Sequence, residues 1–413
     1  MSKDKHLDKV LLSLASGNIP RGRLLRKCLP YLYKNIREDE NLGYTWKIQD
    51  KETPEVLCRK ISKMKSFLGK DVLTSNIEFI ECFTDARTIH FFADHKDKKK
   101  IIEVFYPKVT IVKNQDFPHW GDFRKWRPPM KFDSIVMNPP FDGDLHLQML
   151  DKAIDITKDD GNIVWVHPSN WLLAGNKGEN TKKIYNELKV KVDKLKKKFI
   201  LFNANNIFKI GMFMPCCITV IDKREKDRSA EVIDELQDKI FEYENIFRVN
   251  KFGDYPEYYS LLDKISFLAK NDNLENHKES TERRTLVAHP HYVNIAAIRG
   301  NVSMRDDDIM VSDDFYTIVT KDLIVENKNT KPLYFGFSDK TQADYFLSYL
   351  RTYFARFCLS LVKTNGNLHR GEMVLIPWLD FSQNWTDEAL RQKFNITDNE
   401  WTFIKSVVPE YYQ

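Results

Sequence analysis

The stretch Asp133-Ser134-Ile135-Val136-Met137-Asn138-Pro139-Pro140-Phe141 sets a stiff polar turn directly behind an apolar run. Proline locks φ and removes a backbone donor, and a residue ahead of proline is held extended. Such a turn offers acceptors: the side-chain oxygen of Asn138 and the carbonyl of Pro139. Two fixed acceptors suit a planar amino group with two hydrogens. The exocyclic nitrogen of adenine is of this kind, and it is a poor nucleophile because its lone pair is delocalised into the ring. Acceptors on its hydrogens favour pyramidal geometry and stabilise positive charge as it forms, which combines positioning with preorganised electrostatics. Phe141 adds a face on which a base can stack. This chemistry needs neither a metal nor a general base of shifted pKa. The plain alternative is a turn that only closes a strand.

The turn must be carried by a sheet, and the pattern from Thr53 to about Lys223 supplies one. Ile77–Ile80, Ile89–Phe92, Val109–Val112, Ser134–Met137 and Asn162–Val166 read as five strands, and Ile218–Ile221 as a later antiparallel one. Helical spacing fills 54–68, 95–105, 145–158 and 179–198. Strand–helix alternation predicts an α/β fold, with a mostly parallel sheet covered on both faces. Ligands of such sheets bind beyond the carboxyl ends of the strands, at the topological switch point. Residues 1–50 read as an N-terminal helical segment, 51–225 as the strand–helix domain, 226–285 as a helical linker and 286–413 as a separate α+β domain. In that last domain β-prone stretches precede a long helix near 339–362.

In this setting Asn138-Pro139-Pro140-Phe141 resembles a motif of the amino-methyltransferases, which use S-adenosyl-L-methionine (AdoMet). Phe in the fourth place is typical of the N6-adenine DNA methyltransferases of bacterial and phage restriction–modification systems. Neighbouring segments resemble that family in order. Thr53-Pro54-Glu55 is similar to its T-P-x segment near the methyl donor, and Gly161 to Ser169 to its fifth strand. Ile376 to Phe381, Asn384 to Leu390 and Ile396 to Glu400 are similar to the closing segment of these enzymes. In bland terms, Thr386 and Thr397 simply start capped helices. The resemblance implies a Rossmann-type, seven-stranded AdoMet-dependent methyltransferase fold with a C-terminal DNA-recognition domain. It implies Asn138, Pro139, Pro140 and Phe141 as catalytic residues. It implies Thr53, Pro54, Glu81, Phe83, Asp94, Asp116 and Phe117 as the cofactor lining. One departure stands out. The family has a glycine-rich loop after the first strand, and the aligned stretch here is Glu81-Cys82-Phe83-Thr84-Asp85-Ala86-Arg87, with Asp85 and Arg87 in the glycine places. A catalytically silent DNA-binding relative, and an amino-methyltransferase acting on RNA or protein, therefore stay open beside the DNA enzyme.

The 413 residues are 42% hydrophobic and 30% charged, which excludes fibrous and wholly disordered classes. No apolar run approaches the roughly 18–20 residues of a membrane span. The charged start Met1-Ser2-Lys3-Asp4-Lys5-His6 has no leader-like apolar stretch, so the cytoplasm is the expected location and no membrane partner is expected. The six cysteines form no C-x-x-C pair, and buried thiols are expected rather than a metal site or disulfides. Net charge is only +5, but eight lysines crowd between Lys182 and Lys198 against Glu187 and Asp193. That run is the first candidate for DNA phosphate contact, with a solvated helix face as the plainer reading. Lys363 to Arg370 is a polar loop that could reach a groove. Acting on a duplex adenine implies flipping it out of the stack. A separate restriction endonuclease is the protein partner the resemblance suggests.

Overall fold

The computed structural model describes residues 53–83, 85–92, 99, 102–103, 106–112, 123–141, 143–173, 183–204, 207, 215–235, 238–277, 291–297, 308–311, 318–320, 333–362 and 373–408. For residues 53–55, 58, 62, 78 and 81, and for the strand residues from 291 to 334, the backbone alone is described.

The chain divides into two compact units, residues 1–169 with 182–247, and residues 170–181 with 248–413. The first unit holds a nine-stranded sheet: β1 Asp71–Thr74, β2 Thr88–Phe92, β3 Thr110–Val112, β4 Phe132–Met137, β5 Thr157–Pro168, β6 Lys196–Asn203, β7 Pro215–Asp222, β8 Ala230–Asp234 and β9 Lys239–Tyr243. Their order is β3-β2-β1-β4-β5-β7-β6-β8-β9. β1 runs parallel to β2 and β4, β2 to β3, β4 to β5 and β6 to β8, whereas β7 is antiparallel to both its neighbours and β9 to β8. The sheet is therefore mixed. The chain steps outward from β1 to β3, then returns to place β4 on the other side of β1. That reversal puts the switch point between the carboxyl ends of β1 and β4.

Burial follows from the strand sequences. Ile135, Val136, Ile163, Val164, Ile218 and Ile221 of the central strands are almost wholly inaccessible, as expected where both faces of a sheet are covered. One face packs on Leu57 and Ile61 of the helix Thr53–Met64, and on Phe67, Phe79 and Phe83. Leu145–Ile156 is a twelve-residue helix leading from the β4 turn into β5.

Several expectations change. Ile77–Ile80 is no strand but part of a 3-10 helix, Ile77–Phe83, and the first strand is the shorter Asp71–Thr74. The alternating apolar residues of Ile77–Ile80 mimic a strand, while a four-residue strand opened by an aspartate carries little periodicity. The helix expected over 179–198 stops at Asp193, and its last lysines open β6. The sheet has nine strands rather than seven. Its last two lie at 230–243, within the stretch read as a helical linker, where short charged strands at an edge resemble helix in composition.

The second unit contains a four-stranded sheet ordered Ile318–Thr320, Asp308–Val311, His291–Ala297 and Leu333–Phe337. It also contains helices Pro256–Asn271, Lys340–Arg351, Tyr353–Val362, Asp387–Lys393 and Asp398–Val407. The helix expected over 339–362 breaks at Thr352, which is extended. Asp387 explains the break: its carboxylate accepts from the Tyr353 and Phe354 amides, both at 3.2 Å, capping the second helix. Thr386 caps its own helix through the Ala389 amide, and Thr397 with Glu400 forms a full capping box, as the sequence predicts. Ile376, Leu379, Phe381 and Trp385 are buried in this unit's core, and Trp378 lies flat on His277 with 3.9 Å between ring centroids.

Candidate active site

Asn138 follows the last residue of β4, and Asn76 stands two residues past the end of β1. Val72 faces Ser134 and Leu73 faces Ile135 across these strands. Asn76 meets Asn138 at the same sixty-two-residue offset, so the register of the sheet brings the two loops together. The Asn138 amide donates to Asn76 Oδ1 at 2.9 Å, and Asn76 Nδ2 donates to the Asn138 carbonyl at 3.1 Å. The Asn76 amide in turn donates to Thr74 Oγ1 at 3.1 Å. Thr74, Ser75 and Asn76 are all buried.

Asn138 is itself 3% exposed, and its Oδ1 has no hydrogen-bond partner. Leaving a buried acceptor unpaired costs about 1–3 kcal/mol. Pro139 and Pro140 are buried and Phe141 is half-buried, so Phe141 is the member of the turn that reaches the surface. Its ring lies edge-on to His146 with centroids 6.4 Å apart, and His146 lies edge-on to His167 at 5.5 Å. His167 Nε2 is 2.8 Å from Thr219 Oγ1. Burial holds the His167 imidazole well below its usual pKa, so it is neutral at pH 7. Ser169, at the end of β5, is also wholly buried, and its hydroxyl has no partner.

The other expected site residues are placed differently. Thr53 and Pro54 open the helix Thr53–Met64, and Glu81 lies in the 3-10 helix; their side chains are outside the described residues. Phe83 is 1% exposed and packs edge-on against Phe67, with ring centroids 4.8 Å apart. It is a core residue. Asp94, Asp116 and Phe117 fall outside the described residues, as does the polar loop 363–370.

Asp85 and Arg87 are not in the loop after the first strand. They precede β2, at the amino-terminal edge of the sheet, opposite the Asn138 turn. Arg87 binds both oxygens of Asp71 at 3.0 and 2.5 Å and reaches Asp133 at 3.2 Å. Lys158 completes the chain on Asp133 at 2.6 Å. The hydrogen bond from Arg87 holds Asp71 below the usual carboxylate range. Burial alone would raise Asp133, but the Asp71 amide and Lys158 outweigh it and leave it low. A cavity of about 470 Å³ opens at this same edge, lined by Lys63, Lys65, Ser66, Cys82 and Asp85 among others.

The lysine run is largely committed within the protein. Lys191 pairs with Asp151 and Asp155, Lys196 with Glu225 and Lys198 with Glu231. Lys197 is buried and donates to four backbone carbonyls, those of Asp193, Leu195, Asp227 and Arg228. Lys189 is 2% exposed, and burial brings its pKa to about 8. Lys183, 90% exposed beside Glu187, and Lys194 remain open to solvent.

Among the described residues no three His, Cys, Asp or Glu side chains are grouped to hold a metal ion, and no helix is long and apolar enough to cross a membrane. Sequence reasoning missed Asn76. The available signal was a buried-looking Ser-Asn pair behind a short strand, ahead of Ile77-Glu78-Phe79.

No protein-family model and no curated protein matches the sequence. Solved structures overlap it in part. The type I restriction–modification methyltransferase subunit from Streptococcus thermophilus is 14% identical over 51% of this chain, with a TM-score of 0.34. The overlap spans 52% of that subunit, about half its length. A candidate class I S-adenosylmethionine-dependent methyltransferase from Listeria monocytogenes is 10% identical over 53% of this chain and 74% of its own, with a TM-score of 0.39. The 23S rRNA methyltransferase ErmE is 15% identical over 43% of this chain and 70% of its own, with a TM-score of 0.30.

Proposed function

We propose that this chain transfers a methyl group from AdoMet to the exocyclic N6 amino group of an adenine flipped out of DNA. The observation that carries the reading is the Asn138 side-chain oxygen: a buried acceptor without a partner, on a rigid turn at the switch point of an α/β sheet. In this reading Asn138 Oδ1 and the Pro139 carbonyl accept the two amino hydrogens, and Phe141 stacks on the base. Acceptors held on a stiff turn would need little reorganisation as charge develops.

The position of Arg87 supports the active form over a silent relative, because neither it nor Asp85 stands in the path of a cofactor at the carboxyl edge. The loop that does follow β1, Ser75-Asn76, has no glycine, and none occurs between Gly69 and Gly121. Both of its residues are buried, backbone and side chain together, at 3% and 1% exposure. Thr53, Pro54, Glu81, Asp94, Asp116 and Phe117 are the AdoMet lining implied by the resemblance. When bound, AdoMet supplies an electrophilic methyl group. DNA is the macromolecular partner in this reading, with a separate endonuclease as a further subunit.

The test is methyl transfer from labelled AdoMet to unmethylated duplex DNA, RNA and protein in parallel, followed by nucleoside analysis. N6-methyladenine in DNA is expected. Label in RNA or protein alone would reassign the substrate, and none anywhere would remove the activity. Asn138→Ala should lower transfer by about 10²–10³-fold, with DNA affinity nearly unchanged. Wild-type transfer by that variant would end the role given to Asn138.

A further inference from the structure

The Asn76 amide can be turned in one sense only. Its oxygen takes a backbone N–H and its nitrogen gives to a backbone carbonyl, and those backbone groups cannot exchange roles. Its own backbone is tied to Thr74 at the end of β1. The side chain is thus anchored on one strand while it grips the loop of the next. The grip engages both backbone polar groups of Asn138. Pro139 then limits the chain on the far side. The Asn138 side-chain oxygen is left without a partner.

Resting on the methyl-transfer reading above, we infer that Asn76 is a positioning residue: it sets the Asn138 backbone so that the side-chain oxygen meets the substrate amino group. It acts through Asn138 and does not itself touch substrate. Misplacing a reacting group by about 1 Å can cost about 10²-fold in rate, so two hydrogen bonds on the residue that holds the amino group bear directly on turnover.

Aspartate at position 76 separates geometry from packing. It has the shape of asparagine, but its carboxylate is acceptor-only and faces the Asn138 carbonyl oxygen without a hydrogen. Protonation restores one donor and one acceptor, and burial favours that neutral form. Asn76→Asp should therefore regain the clamp as pH falls.

The experiment uses the full chain with duplex DNA and labelled AdoMet, together with hydrogen exchange at the Asn138 amide. Asn76→Ala should lower kcat about 10²-fold, keep KM for DNA within about twofold and speed exchange at Asn138. Asn76→Asp should show the same loss near pH 8 and regain kcat relative to wild type as pH falls. Wild-type kcat in Asn76→Ala, or no recovery in Asn76→Asp, overturns the inference while leaving the function intact. Unchanged exchange at Asn138 overturns the clamp whether or not a methyl group moves. Absence of transfer by the wild-type protein overturns the functional reading and the positioning role of Asn76 with it. Thermal melting is recorded for each variant, and if Asn76→Ala does not fold, the pH recovery of Asn76→Asp decides.

Discussion

Asn138 and Phe141 sit three residues apart in one turn, yet they are asked to do different work. Asn138 is buried and its side-chain oxygen has no partner, so in the proposed reaction it would act as the amino nitrogen gains positive charge. Phe141 is half-buried, and a ring there acts through area and stacking. Stacking of a base on an aromatic side chain contributes about 1–3 kcal/mol. Phe141→Ala should therefore lower kcat/KM for DNA by about 10–10²-fold while retaining much of kcat. Phe141→Trp should restore most of the loss. Steady-state kinetics on duplex DNA read both, and a loss confined to kcat would contradict a stacking role. The types of these residues were legible in the sequence because proline constrains its neighbours locally. The burial of Asn138 was not, since it depends on what the sheet places around it.

At the scale of elements, β4 and β5 carry the site, and Gly161 lets them meet. A Cβ at Gly161 would lie 2.6 Å from Thr157 Cγ2 and 2.8 Å from the Asp133 carbonyl oxygen. The backbone oxygen cannot withdraw cheaply, and overpacking of this kind costs about 1–3 kcal/mol. Gly161→Ala should lower the melting temperature and, by disturbing the strand that flanks the Asn138 turn, reduce transfer as well. Calorimetry beside the methyl-transfer assay checks this, and an unchanged melting temperature would contradict the packing argument. The same strands show how local patterns mislead. Ile77–Ile80 alternates like a strand but is one turn of helix, and Lys196-Lys197-Lys198 looks like a solvated helix end but opens β6. Neither error is visible in a short window, because strand identity rests on a partner many residues away. The misplaced first strand also moved the expected cofactor loop to the wrong edge.

At the scale of the whole molecule, the sheet separates its two edges by task. The carboxyl edge holds the Asn76–Asn138 knot, and the amino edge carries ion pairs: Arg87 with Asp71 and Asp133, Lys158 with Asp133, and Lys65 with Asp222 at 2.6 Å. Arg224 adds two further bonds to Asp222, and these hold its carboxyl far below the usual range. The Arg87 side chain is 57% exposed, so solvent screens its pairs, and Arg87→Ala should lower the melting temperature only slightly, with kcat unchanged. Its partners' pKa values are lowered by folding from 3.8. Their stabilisation is therefore present above about pH 4 and is lost as pH falls through the lower folded values. The gap in melting temperature between wild type and Arg87→Ala should narrow below about pH 4. A gap that persists in acid would mean that the side chain matters through packing alone.

The sequence by itself determined the turn chemistry of Asn138-Pro139-Pro140-Phe141, the strand–helix alternation around it, and the capped helix starts at Thr386 and Thr397. All of these are settled by residues within a few positions of one another. Only the tertiary structure decided that Asn76 meets Asn138, that Arg87 lies at the far edge and that Lys191, Lys196, Lys197 and Lys198 are spent on internal partners. Each of those depends on register between strands distant in the chain, and register arises when the whole sheet assembles.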